Sequence, residues 1–455
     1  MSAPYLVIGL GVTGTAVARA LVAHGDAVVL ADDRPGDAAR ALAAELGCDQ
    51  VEAPGADELA LLVKGASGVV PAPGLPARHR VFGAAAEAGV PILSEFDLAG
   101  WWDDRPVLAI TGTDGKTTVT TLVRDMLAGS GLVAAAVGNT DVPLVAAIAE
   151  PATDVFVVEA SSFRLEHSRR FTPQVATWLN FAADHLDSHP TLAAYEAAKA
   201  RIWRDQAPDQ VAVGNLDDPV VARHLRRATA RQVPFGLDPG AEVTVADGVL
   251  VGPGGVEVVA VADLPRRLPH DVSNALAAVA TALSGGATPE AAAAVLRAFT
   301  GLPHRVALVG EAGGVRYYDD SKATTPHAAV AGVSGFESVV MISGGRDKGL
   351  DLGELRAAAA RVRAIVAIGE AAGLVEAAFA GLRPVVTAGS MDEAVRLAAG
   401  LAEPGDAVVL SPGCASFDWY RSYGERGDDF ARAAREVAGV GPAGAGAGAG
   451  SAGGT

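Results

Sequence analysis

The 455-residue chain has only two cysteines, few aromatics (5%) and no long apolar run. Each scarcity closes a class of explanation. Cys48 and Cys414 cannot make a disulfide framework, which fits a reducing compartment. Cys414, within Ser411-Pro412-Gly413-Cys414-Ala415-Ser416, has no evident histidine partner and reads as a small buried thiol. No stretch approaches the ~20 uninterrupted apolar residues of a spanning helix. The mean hydropathy of +0.28 therefore reflects alanine and valine. No Lys or Arg precedes Arg19, the wrong order for a secretory signal. The expectation is a soluble cytoplasmic protein without membrane insertion. Basic residues are also short, 36 Lys plus Arg against 53 Asp plus Glu, for a formal charge of −17. That balance argues against nucleic acid or an anionic membrane as partner. A small anion remains open, because a few local cations and helix N-termini suffice to hold one.

What is present is an alternation of apolar strands and helical runs, the pattern of an α/β protein. The length suits roughly three domains, placed at residues 1–104, 105–300 and 301–440. Residues 441–455, Gly/Ala-rich, bury almost nothing and are expected to be disordered. The organising stretch is Ile110-Thr111-Gly112-Thr113-Asp114-Gly115-Lys116-Thr117-Thr118, between an apolar strand from Val107 and a helix. Val119, Leu122, Val123, Met126 and Leu127 would bury one face of that helix. Glycines let backbone wrap phosphates, helix-start N–H groups favour anions, Lys116 adds a charge, and Thr117 offers Mg²⁺ a hydroxyl. The full Walker pattern wants a glycine where Ile110 stands, so only its shorter core is present.

Upstream, Tyr5 to Ile8 reads as a buried strand followed by Gly9-Leu10-Gly11-Val12-Thr13-Gly14, a G-x-G-x-x-G before a helix. The next strand ends in Asp32-Asp33, where an NAD enzyme places its ribose-binding acid, but Arg34 follows and suits a phosphate. Gly68-Val69-Val70 leads into Pro71-Ala72-Pro73-Gly74, a strand running into a turn. In the middle segment, Asp154 to Glu159 is an apolar strand delivering a carboxylate at its ligand-facing end, well placed for Mg²⁺. Ser161-Ser162-Phe163-Arg164-Leu165 starts the next element. Asn180-Phe181-Ala182-Ala183-Asp184-His185-Leu186-Asp187, after a strand from Val175, gathers acid, imidazole and acid, which suits a metal or phosphoryl-transfer site. Tyr195 and Lys199 share a helix face; by residue type alone Lys199 is a solvated surface lysine. His270-Asp271-Val272-Ser273-Asn274 precedes an alanine-rich helix and either caps it or reaches a nucleotide base.

In the last segment, Gly301 to Arg305 reads as a linker bearing a phosphate-competent guanidinium. Strands from Val339, Ile365 and Ala407 end in Gly- or Ser-rich turns, with Asp319 to Thr324 and Asp418 to Phe430 around the same face.

The short loop G-T-D-G-K-T-T, followed in order by E-A-S-S-F, N-F-A-A-D-H-L-D, Y-E-A-A-K-A-R-I, G-L-P-H-R, D-S-K-A-T, G-G-R-D-K-G and S-P-G-C-A-S-F-D, resembles the ATP-dependent Mur ligases of peptidoglycan synthesis. The resemblance covers nearly the whole chain up to the tail and accounts for the missing glycine. Within that family the order looks like the members that add D-glutamate to UDP-N-acetylmuramoyl-L-alanine through an acyl phosphate. It implies three domains, each a mainly parallel sheet flanked by helices. They would be an N-terminal Rossmann-like UDP-binding domain, a central P-loop ATPase-like domain and a C-terminal Rossmann-like amino-acid-binding domain. By motif match, Gly112 to Thr118 (Gly112, Thr113, Asp114, Gly115, Lys116, Thr117 and Thr118) with Asn274, Arg305 and Asp320 would bind ATP. Thr117, Glu159, His185 and Lys199 would hold two Mg²⁺ ions, with Lys199 carried as a CO₂-derived carbamate. Lys116, Glu159, His185 and Lys199 form the implied catalytic set. Val12, Thr13, Asp33, Arg34, Gly74 and Asn139 match the UDP-sugar contacts, and Lys322, Thr324, Lys348, Ser416 and Tyr423 those for D-glutamate. The resemblance implies a monomer acting on small molecules.

Three departures stand out: Asp271 where the family often has asparagine, Asp141 where a glycine is common, and Asp33 in place of a neutral residue. Asp33 would need Arg34 to neutralise it. A ligase adding another amino acid is the alternative. An NAD-dependent oxidoreductase, built on Gly9 to Gly14 and Asp32, leaves the 110–118 loop, Glu159 and His185 without a role.

Overall fold

A computed structural model describes residues 3–34, 36–140, 142–185 and 188–439. Asp141, Asp187 and the tail from 441 onward, all named above, lie outside the described residues. The described residues form two compact units, one within 3–267 with 271–300, the other of residues 268–270 with 301–439.

The first unit holds two parallel sheets. β1 (Tyr5–Ile8), β2 (Val28–Asp32), β3 (Asp49–Glu52) and β4 (Gly68–Pro71) line up in the order β3-β2-β1-β4. The second sheet comprises β5 (Val107–Thr111), β6 (Ala134–Gly138), β7 (Val155–Glu159), β8 (Val175–Trp178), β9 (Val211–Asn215) and β10 (Arg231–Phe235), in the order β10-β9-β8-β5-β7-β6. Its central strands are buried along their length, as a sheet covered on both faces requires. Val119, Leu122, Val123, Met126 and Leu127 on the helix Lys116–Gly129 are all buried, as their spacing predicts. The order places β5 between β7 and β8, with Ile110 opposite Glu159 and Thr111 opposite Trp178. The turns leaving these three strands therefore emerge side by side at the carboxyl edge.

An antiparallel sheet of β11 (Thr244–Ala246), β12 (Val249–Val251) and β13 (Glu257–Ala260) was not read from the sequence. Its strands have three or four residues and bury few side chains, so their alternation is too brief to register. The helix Pro269–Ser284 begins before His270, so His270 to Asn274 lie in its first turns rather than ahead of it.

The second unit contains one sheet in the order β14-β15-β19-β16-β17-β18, from β14 (Ala307–Ala312), β15 (Val315–Asp319), β16 (Val339–Gly344), β17 (Val362–Ile368), β18 (Val385–Ala388) and β19 (Ala407–Leu410). Only the β14–β15 hairpin is antiparallel. Cys414 is buried, and burial pushes its thiol up to about 12, which keeps it unreactive as expected.

Candidate active site

The phosphate loop is held open by side chains from the neighbouring strand. Asn180, just after β8, accepts from the amides of Thr113 and Asp114, each at 2.9 Å, and its Nδ2 donates to Asp114 O at 3.2 Å. Thr113 Oγ1 in turn receives the amide of Ala182 at 3.0 Å. One motif thus clamps the loop of another, a role for Asn180 that its residue type alone does not reveal. Gly115 sits at φ 82°, and a Cβ there would stand 2.5 Å from Asn274 Oδ1. A side chain there would be strained by the left-handed backbone and would push Asn274 Oδ1 away from the loop. Asn274 is accordingly at the phosphate loop, not a cap.

Lys116 Nζ donates to the carbonyls of Gly112 and Thr113, each at 2.8 Å. Lys199 Nζ donates to the same Gly112 carbonyl at 2.6 Å and lies 4.6 Å over the Tyr195 ring. Lys199 is not a solvated surface lysine: it is 1% exposed. Burial, and then the charge of Lys116, hold its ammonium well below the ordinary lysine range, against the opposing pull of Asp184, Asp114 and Glu159. A buried, readily deprotonated amine is a nucleophile.

Glu159, the last residue of β7, is 4% exposed. Oε1 accepts from Asn139 Nδ2 at 3.0 Å, while the buried Oε2 has no hydrogen-bond partner. A desolvated carboxylate oxygen in that state is suited to a cation. His185 adopts φ 56°, an uncommon conformation for a residue with a side chain, and its Nε2 is 3.3 Å from Asp184 Oδ2. Among the described residues no three His, Cys, Asp or Glu side chains make a ready-formed metal cluster.

At the N-terminal sheet, Asp32 Oδ2 accepts the amide of Leu10 at 2.7 Å and Oδ1 that of Arg34 at 2.8 Å. Asp32 therefore fastens the glycine loop. Asp33 Oδ2 forms a hydrogen bond with His79 Nε2 at 2.8 Å. Val12 is 67% exposed, Thr13 is buried, and the turn at Gly74 has open space around its Cα. Asp271, the departure in the nucleotide region, pairs with Arg266 at 3.0 Å.

In the second unit, β15, β19 and β16 are neighbours, and the loops after them carry the motif residues. Arg346 and Ala415 bridge the 345–349 loop to the 411–416 loop, which joins the segments bearing Lys348 and Ser416. Lys322 Nζ lies 3.8 Å over the Tyr423 ring, and the Thr324 amide bonds the Lys322 carbonyl. Sequence reading missed what holds these loops, Arg426. This 1%-exposed guanidinium donates to Ser321 Oγ and O, each at 2.9 Å, to Ala415 O at 3.0 Å and to Cys414 O at 3.2 Å. Its helix Tyr423–Ala438 is strongly amphipathic, but burial of an arginine within it has no periodic signature. Asp320 faces inward: Ser411 Oγ donates to Oδ2 at 2.7 Å and Val306 N to Oδ1 at 3.3 Å. Arg305 acts electrostatically on Asp320.

Residues 110–282 match the Mur ligase middle domain, and residues 304–414 match the Mur ligase glutamate ligase domain. The chain belongs to the Mur ligase family. This ligase is 46% identical to the UDP-N-acetylmuramoylalanine–D-glutamate ligase of Frankia casuarinae, over 96% of this chain and 94% of that one. It is 41% identical to the enzyme of that name from Thermobifida fusca, over 95% and 98% of the two chains. The fold is shared with the pseudomurein peptide ligase type C of Methanothermus fervidus, with TM-score 0.60 at 18% identity over 96% of this chain and 100% of that one. It is shared as well with MurF of Acinetobacter baumannii, with TM-score 0.59 at 20% identity over 95% and 91%. As a Mur ligase the protein is an ATP-dependent, Mg²⁺-using, amide-forming enzyme, and the oxidoreductase alternative falls away. Among the described residues no helix is long and apolar enough to cross a membrane.

Proposed function

We propose that this ligase joins D-glutamate to UDP-N-acetylmuramoyl-L-alanine, driven by ATP, as a cytoplasmic monomer in peptidoglycan precursor synthesis. The observation that carries the reading is a phosphate loop backed by a buried amine, Lys199, and an unpartnered carboxylate oxygen, Glu159 Oε2, in a chain whose relatives bear that name. The amide N–H groups and Lys116 of the loop would cradle the ATP phosphates, with Asn274 beside them, and the motif match assigns Arg305 and Asp320 to the same nucleotide. The alanyl carboxylate then attacks the γ-phosphorus, giving an acyl phosphate and ADP. The amine of D-glutamate attacks that carbonyl, and phosphate departs as the amide forms.

Mg²⁺, when bound, supplies charge neutralisation at the phosphate and acyl oxygens. Thr117, Glu159 and His185 are the side chains offered to hold two such ions, with Lys199. In its neutral form the Lys199 amine attacks CO₂; an N–C bond forms, a proton leaves, and the side chain becomes an anionic carbamate. That change would add carbamate oxygens to those of Thr117 and Glu159. Val12, Thr13, Asp33, Arg34, Gly74 and Asn139 are assigned to the UDP sugar. Lys322, Thr324, Lys348, Ser416 and Tyr423 are assigned to the two carboxylates of D-glutamate. The three ranges 1–104, 105–300 and 301–440 would then be the UDP-sugar, ATP and amino-acid domains.

The test is phosphate release with ATP, Mg²⁺, the UDP-muramoyl-alanine acceptor and a panel of amino acids. Release is expected with D-glutamate alone. Equal release with L-alanine, L-lysine or diaminopimelate would sink the specificity.

A further inference from the structure

Arg164, the third residue of the short helix Ser162–Glu166, is 6% exposed. Its Nη1 forms an ion pair with Glu95, and its Nη2 donates to Thr13 Oγ1 at 3.0 Å. Glu95 begins the helix Glu95–Trp102 and also accepts the amide of Val145 at 3.1 Å. The guanidinium therefore joins its own segment, just beyond Glu159, to the glycine loop and to the start of the helix Glu95–Trp102, and Glu95 extends the link to Val145. Nε of Arg164 has no hydrogen-bond partner, and the side chain borders a small cavity shared with Thr13, Gly14, Pro71 and Pro73.

Stability alone does not explain this arrangement. A buried ion pair adds little net stability over apolar residues of similar volume, and the contact with Thr13 is not needed to pair Arg164 with Glu95. Thr13 lies in the first turn of the helix Val12–Ala23, whose N-cap is Gly11 with no side-chain cap and whose first turn has no acidic residue. The amides there lack intrahelical partners and favour an anion. A hydroxyl that accepts from a guanidinium keeps its own proton available to donate and donates it more strongly.

We infer that Arg164 is a positioning residue for the diphosphate of the nucleotide sugar, acting through the Thr13 hydroxyl. The inference rests on the nucleotide-sugar reading above. It extends the site to a residue that neither motif reading nor residue type assigns.

The test uses the full chain and UDP as probe, with uridine as the control lacking phosphate. Titration calorimetry should show UDP binding about tenfold weaker in Arg164→Gln and in Thr13→Val, the loss expected for one charge-assisted hydrogen bond. Uridine binding should be unchanged. The double variant should be no worse than about twofold below either single one, since both remove the same contact. Thr13→Ser should retain wild-type affinity. Unchanged UDP affinity in Thr13→Val, additive losses in the double variant, or equal losses for uridine would overturn the assignment. Should Arg164→Gln fail to fold, Arg164→Lys takes its place: a loss of UDP affinity that is absent in the Thr13→Val background supports the assignment, and no loss, or a loss that adds to that of Thr13→Val, overturns it. Wild-type protein that binds UDP but releases no phosphate with D-glutamate defeats the ligase reading and leaves this one standing.

Discussion

Asp320→Asn offers a quantitative check on the second unit. Burial raises the Asp320 carboxyl from the ordinary 3.8 to about 7, outweighing the hydrogen bond from Ser411 and the charge of Arg305, which favour ionisation. A raised carboxyl binds its proton more tightly in the folded state than in the unfolded one. Its favourable contribution is therefore complete below about pH 4 and is lost as pH rises through 7. At ~1.4 kcal/mol per tenfold change in proton affinity, the loss between pH 4 and pH 8 amounts to roughly 4 kcal/mol. Asparagine resembles the protonated acid and does not titrate. Its oxygen can accept the Val306 amide, while Ser411 Oγ, 3.5 Å from Ala329 O, can turn its proton there and receive the asparagine N–H. That rearrangement costs about 1 kcal/mol. The variant should be slightly less stable than wild type at pH 4.5 and more stable, by a few kcal/mol, at pH 8. Asp319 is raised in the same direction, mainly by burial, and is present in both proteins, so the comparison removes most of its effect. Hydrogen–deuterium exchange of peptides spanning β15 and β19, comparing the two proteins at each pH, reads the local opening free energy. A difference that does not change with pH would refute the reasoning, because Asp320 would then be titrating like an exposed carboxylate.

Three further perturbations test the site. Lys199→Ala should lower kcat by roughly 10²–10³, the scale of removing one preorganised charge from a reacting centre, with partial recovery in added formate or acetate; undiminished turnover would rule out the carbamate. Gly115→Ala forces a Cβ within 2.5 Å of Asn274 Oδ1 at φ 82°, so ATP binding should fall below detection while UDP binding persists, and normal ATP affinity would contradict the loop geometry. Arg426→Met frees Ser321, Cys414 and Ala415 from their shared donor. The KM for D-glutamate should rise about tenfold, from loss of hydrogen bonds to a charged group, with the KM for ATP unchanged. Arg426→Lys should not restore it, lacking the planar fork; equal shifts in both KM values would mean general loosening.

Much of the architecture was legible because local rules and tertiary demands agree. β1, β5, β7 and β19 are short, almost wholly apolar runs ended by Gly, Ser or acid, and they appear within a residue or two of where the pattern places them. The helix after the phosphate loop follows its apolar spacing, and the motif order identifies the family without coordinates. The brief antiparallel strands from 244 to 260 were missed because three or four residues carry too little periodicity.

Within the site, the linear order determines which chemical groups are available, but not their charge states or partners. Those depend on desolvation and on neighbours distant in sequence. Lys199 contacts Gly112, 87 positions away, and loses water on all sides, which turns a nominal surface cation into a deprotonatable amine. Asp33 finds His79, Glu159 finds Asn139, and Arg164 finds Thr13 across 151 positions. Side-chain chemistry and spacing were set by the sequence alone, whereas only the packed structure decided which of those groups are buried, paired or left with an unmet hydrogen bond.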